Sequence, residues 1–183
     1  MHSASVTVEK QLISQIGKGV LVFAAVAPDD TVKEVDAMAE KILKYKMWPD
    51  ESGANVSSLE HFIVSVTART GCYDILPASC CSQALLIQCL KWKRNVVDIS
   101  GDVLCVSQFT LLANTKKGTK PDFHGAAGGD HARDLYAHFV QKVQGTYVED
   151  RVKDGVFQAM MDVGLVNDGP VTLSLEISPP KQG

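Results

Sequence analysis

A chain of 183 residues, 45% apolar and 21% charged, is long enough to bury the core of one domain and has the balance of a globular protein. No apolar run approaches the roughly 20 residues of a membrane-spanning helix, and the N-terminus lacks the basic start and apolar stretch of a secretory signal, so the expected location is the cytosol. A net charge of −3 does not advertise nucleic-acid binding by bulk electrostatics. The cysteine count of five is odd, and four of the five (Cys72, Cys80, Cys81, Cys89) crowd into one stretch without a C-x-x-C pair or zinc-finger spacing. Free thiols and no metal site are expected.

In chain order, Ser5-Val6-Thr7-Val8 reads as a short strand leading to a turn. Val20 to Val26 is apolar at every position, as in a buried central strand, and Pro28-Asp29-Asp30 breaks it. Thr31 and Glu34 make a capping box for a helix whose buried face is Val35, Met38, Ala39, Ile42 and Leu43. Val103 to Val106 is another apolar strand, ending in Ser107-Gln108. A second helix is predicted from about Asp130 to Gln144, burying Leu135, Tyr136, Phe139, Val140 and Val143, with Gly145 as its C-terminal cap. His131 and His138 on it are read as surface residues. Thr146-Tyr147-Val148-Glu149 follows as a strand. Val163 to Val166 and Val171 to Ile177 then flank Asn167-Asp168-Gly169-Pro170 as a predicted hairpin. The sum is a single α/β domain over 1–183, with largely antiparallel sheets forming a barrel-like core and two main helices.

Two short segments carry the chemistry. Ser107-Gln108-Phe109-Thr110 puts hydroxyl and amide groups at the rim of a sheet, where they can grip a small polar ligand or merely cap a strand end. Asn167-Asp168-Gly169-Pro170-Val171-Thr172 combines a permissive glycine with a φ-locked proline. Taken singly, each reads as ordinary local structure. Lys91-Trp92-Lys93-Arg94 and Lys116-Lys117 with Lys120 are the basic clusters able to meet phosphates, or to lie as solvated loop charges.

Taken together and in this order, the two segments resemble the signatures of the D-aminoacyl-tRNA deacylase family. Ala4-Ser5-Val6-Thr7-Val8, Ile16-Gly17-Lys18-Gly19, Asp29-Asp30-Thr31 and Leu165 through Leu173 extend the likeness. The resemblance implies a homodimer that hydrolyses the ester joining a D-amino acid, or glycine, to the 3′ end of tRNA. It implies that Ser107, Gln108, Phe109 and Thr110 line the pocket for the aminoacyl-adenosine end. It further implies a cis Gly169–Pro170 bond whose carbonyls, with Asn167, Val171 and Thr172 around them, enter the neighbouring subunit's pocket and reject L-amino acids by occupying the space of their side chain. Lys116 and Lys117 are the candidate tRNA contacts. No metal or organic cofactor is required.

Two departures from the family pattern follow. Only Met1-His2-Ser3 precede Ala4, so the strand with which family members begin is expected to be missing, leaving a sheet edge unpaired. Val56 to Leu90 is an atypical insertion without a clear helical or alternating period, read either as translated intron or another gene-model error, or as a genuine surface insertion tolerated because loop length costs little entropy. The rival function is a non-catalytic nucleic-acid- or partner-binding protein on the same scaffold.

Overall fold

The computed structural model describes residues 1–49, 62–67, 92–116, 118–167 and 170–177, with 62–67 described by backbone alone. The chain opens with strands Ser3–Val8 (β1) and Gln11–Ile16 (β2), an antiparallel pair with a bulge at Val6/Thr7. The turn between them places Glu9 and Lys10 at φ of 50° and 68°, the backbone twist that a two-residue hairpin demands. The turn after Val8 is the expected one, but neither turn residue is Gly or Asn, and the strand that follows it at Gln11–Ile16 is not among the predicted elements.

The remaining elements are strand Gly19–Ala25 (β3), helix Val32–Lys44 (α1), strands Trp48–Pro49 (β4), Phe62–Thr67 (β5), Trp92–Arg94 (β6) and Asp102–Ser107 (β7), helix Gly129–Thr146 (α2), and strands Val152–Asp154 (β8), Asp162–Val166 (β9) and Val171–Glu176 (β10). Helix α1 has the predicted capping box, with Thr31 and Glu34 bonding reciprocally, and buries the five predicted residues. Helix α2 buries Leu135, Tyr136, Phe139, Val140 and Val143, also as expected. It runs past Gly145 to Thr146, where the Tyr147 N–H closes it on Val143 O at 3.0 Å. The expected strand at 146–149 is therefore the helix end and the start of a 3-10 turn at Glu149–Arg151, and the strand comes later, as β8.

The strands sort into three sheets, β2-β1-β9, β10-β5-β3-β7-β8 and β4-β6, and close no barrel among the described residues. Every neighbouring pair in the five-stranded sheet is parallel, which corrects the expectation of largely antiparallel sheets. The reason lies in the double burial of β3 and β7. Val20, Val22, Val103 and Cys105 face the two helices, while Leu21, Leu104 and Val106 face the small sheet, meeting Val6 and Ile16. Strands covered on both faces are the setting in which parallel pairing occurs. Gly19 is required by this pairing, since a Cβ there would lie 1.9 Å from Asp102 O.

Two further expectations are corrected. The segment Phe62–Thr67, within the presumed insertion, is a strand running between β3 and β10 and paired with both over six residues, so that flank of β3 is not an unpaired edge. The predicted hairpin does not form either, since β9 pairs with β1 in the antiparallel sheet and β10 pairs with β5 in the parallel one. The chain between them crosses from one sheet to the other.

Candidate functional site

Strand β7 delivers Ser107 to the end of the parallel sheet, and the chain then leaves the ladder. Gln108 keeps one backbone bond to the sheet, its N–H donating to Ala24 O at 2.7 Å. Phe109–Leu112 follows as a 3-10 turn, closed by Leu111 N to Gln108 O at 3.3 Å. The first N–H groups of such a turn have no partner within it, and here they belong to Phe109 and Thr110. The Gln108 side-chain amide donates to the Thr110 hydroxyl.

These four residues lie along one wall of a cleft of about 680 Å³. Ala24, Ala25 and Val26, at the end of β3, and Gly129, Ala132 and Tyr136 of α2 also line it. Residues 157–161 line it as well. At the mouth, Phe109 and Phe123 meet edge to face with centroids 5.2 Å apart, and both are exposed. The cleft is thus largely apolar, with hydroxyl and amide groups concentrated on the 107–110 side. That pattern suits a ligand with an apolar part and a polar junction.

The second predicted set is placed differently. Asn167 Nδ2 donates to Val171 O at 3.1 Å, bracing the connection from β9 to β10. Val171 is half-buried, while Pro170 and Thr172 are exposed. Asn167, Pro170, Val171 and Thr172 do not line the cleft of their own chain. Asp168 and Gly169 lie outside the described residues, and with them the Gly169–Pro170 peptide bond. Lys116 is exposed, its backbone N–H donating to Asn114 Oδ1 at 3.0 Å; Lys117 lies outside the described residues.

Several titratable groups are buried or half-buried, and of these Tyr136 lines the cleft. Asp30, 5% exposed, accepts the Ala27 N–H at 2.7 Å, and burial raises its carboxyl to about 6. Burial also raises Asp154, against the hydrogen bond from the Tyr136 hydroxyl that pulls the other way. It raises the Tyr136 phenol and the Cys105 thiol as well, so both stay protonated. His131 Nε2 lies 3.2 Å from Asp30 O, and His138 Nε2 lies 2.8 Å from Asp36 Oδ1 across the two helices. No group of three His, Cys, Asp or Glu side chains among the described residues is arranged to hold a metal ion.

Sequence reasoning thus found one wall of the cleft and missed the others. Tyr136 was assigned to the core, and nothing in the pattern of residues 157–161 marks them as a site.

The family described as D-Tyr-tRNA(Tyr) deacylase matches residues 1–72 and 79–176. A D-aminoacyl-tRNA deacylase of Yarrowia lipolytica is 43% identical over 175 residues, covering 95% of this chain and 91% of that one. The Saccharomyces cerevisiae protein of the same name is 36% identical over 176 residues, covering 96% and 93%. Among solved structures, one described as c-Myc DNA Unwinding Element Binding Protein superposes with a TM-score of 0.68 at 35% identity, over 93% of this chain and 89% of that one. Another, described as a probable eukaryotic D-amino acid tRNA deacylase, has a TM-score of 0.61 at 16% identity, over 91% and 90%, and speaks for the fold alone.

Proposed function

The chain belongs to the D-Tyr-tRNA(Tyr) deacylase family, and from that premise we propose that it hydrolyses the ester of D-aminoacyl-tRNA, and of glycine mischarged on tRNA, in the cleft beside Ser107–Thr110. The observation that carries this reading is that Ser107, Gln108, Phe109 and Thr110 all line one cleft of about 680 Å³. A water attacks the ester carbonyl, the tetrahedral oxyanion takes hydrogen bonds from backbone N–H groups near Phe109 and Thr110, and the terminal ribose oxygen leaves with a proton. A hydroxyl nucleophile needs an adjacent base. The described hydrogen bond of the Thr110 hydroxyl is to the Gln108 amide, so we assign base assistance to a ribose hydroxyl of the substrate and positioning to the protein.

The chiral filter in this reading is Gly169 and Pro170, framed by Asn167, Val171 and Thr172 and acting on the cleft of a second subunit in a homodimer. It is supported by the fact that the described residues of this set stay out of their own chain's cleft. Glycine passes such a filter because it has no side chain to collide. Lys116 and Lys117 meet tRNA phosphates, and the protein works in the cytosol. No helix among the described residues is long and apolar enough to cross a membrane.

The test is to follow ester loss from D-aminoacyl-tRNA and its L counterpart. Release of the D form alone is expected. Release of neither, with tRNA binding retained, overturns the reading in favour of a binding protein, the second reading that the name of one 35%-identical structure keeps in view. Thr110→Val is expected to retain turnover; collapse with binding intact would make the hydroxyl itself catalytic.

A further inference from the structure

Phe157–Met161 line the same cleft as Ser107–Thr110 and belong to the loop 155–161, which helix α2 holds through side chains. Tyr136 is 3% exposed, yet it reaches the cleft. Its hydroxyl donates to Asp154 Oδ1, at the last position of β8, and its ring lies 5.5 Å from that of Phe157. Asp154 is fixed from its other side as well: its carbonyl accepts the Ser14 hydroxyl, and the next N–H, from Gly155, donates to Cys105 O at 2.9 Å.

Arg133, three residues before Tyr136 and on the same helix face, adds a second hold. Its guanidinium sits 5.7 Å from the Phe157 ring centroid and donates to Gln158 Oε1 at 2.7 Å. Gln158 has φ of 63°, a backbone region that side-chain-bearing residues seldom occupy. Such a conformation persists only where its surroundings over-determine it. Within the loop, the Val156 N–H meets Met161 Sδ at 3.4 Å.

We propose that Tyr136 is a positioning residue of the deacylase: by donating to Asp154 it fixes where the 155–161 loop leaves β8, and so holds Phe157 and Met161 as the wall against which the aminoacyl group is oriented. The proposal rests on the reading of this cleft as the ester site. The Asp154 carboxyl is half-buried, and losing the phenol removes one of the donors that hold it in place. Removing the hydroxyl therefore frees the loop to shift, while the apolar packing of the ring stays.

The experiment measures steady-state hydrolysis of D-aminoacyl-tRNA and thermal unfolding for the full chain and four variants. Tyr136→Phe and Asp154→Ala are expected to lower kcat about tenfold while KM moves less than about threefold, since the substrate still binds but is no longer oriented. Asp154→Asn keeps an oxygen acceptor for the phenol and is expected to stay within about threefold of the parent kcat. Unchanged kcat in Tyr136→Phe, even with a lower Tm, overturns the proposal. So does an Asp154→Asn loss equal to that of Asp154→Ala, which decides the matter if Tyr136→Phe does not fold. Gln108→Ala, run in parallel, separates the two readings. Full activity there removes the cleft as the ester site, whereas an impaired Gln108→Ala beside an unimpaired Tyr136→Phe removes only the positioning role.

Discussion

The two long walls of the cleft are held by different physics. The 107–110 wall grows out of a doubly covered parallel strand and is tied by main-chain bonds, such as Gln108 N–H to Ala24 O. The 155–161 loop hangs between β8 and β9; one main-chain bond, Gly155 N–H to Cys105 O, ties its start, and the rest is pinned largely by side chains, with Tyr136 on Asp154 and Arg133 on Phe157 and Gln158. A backbone-built wall tolerates many side chains but fails with the core beneath it. A side-chain-built wall fails one contact at a time. Four substitutions sharpen or break that contrast.

The largest effect belongs to the core under the first wall. Leu104 is fully buried in β7, so Leu104→Ala is expected to lower stability by about 2–5 kcal/mol, read by urea or thermal unfolding, and to take activity down with it. Next comes Asp30, whose carboxylate accepts the Ala27 N–H just past the end of β3. Its carboxyl is raised from 3.8 to about 6 in the fold, so the folded chain holds the proton more tightly than the unfolded one. Stability therefore rises as pH falls from about 6 toward 4, by up to about 3 kcal/mol at roughly 1.36 kcal/mol per factor of ten in proton affinity. Asp30→Asn, which keeps the acceptor for Ala27, is expected to flatten that slope in pH-resolved unfolding.

Smaller effects are expected at the second wall. A Cβ at Gly155 would lie 2.9 Å from Met161 Sδ. The thioether is flexible and can retreat, so Gly155→Ala is expected to cost about 1 kcal/mol of stability while displacing the wall enough to lower kcat. Arg133→Ala is expected to change stability by less than about 1 kcal/mol, because the guanidinium is half-exposed. A loss of several kcal/mol there would mean that the loop depends on Arg133 more than on Tyr136.

What was legible in the sequence follows the same division. Both helix faces were readable because burial repeats along them with the helical period, from Val35 to Leu43 and from Leu135 to Val143. The strand end at Ser107–Thr110 was readable because an apolar run changes abruptly to hydroxyl and amide groups. Strand direction was not, since β3 and β7 are apolar on both faces and such runs do not state their neighbours. Nor was the partnering of β9 and β10: an N-D-G-P turn specifies a change of direction, not the sheet each arm joins. Tyr136 shows why part of the cleft was hidden, because a residue can follow the core periodicity of its helix and still line the cleft. Residues 157–161 have no period at all, and their shape comes from contacts with residues more than 20 positions away, as from Arg133 to Gln158.

The order β10-β5-β3 has a consequence for synthesis. On the ribosome, β3 and β5 emerge long before β10, and until the final segment arrives the outer side of β5 has no neighbour. A nascent chain stalled or cut ahead of residue 171 therefore displays a bare parallel strand, a template for joining other chains. Premature termination near the C-terminus should yield aggregates rather than a merely inactive enzyme.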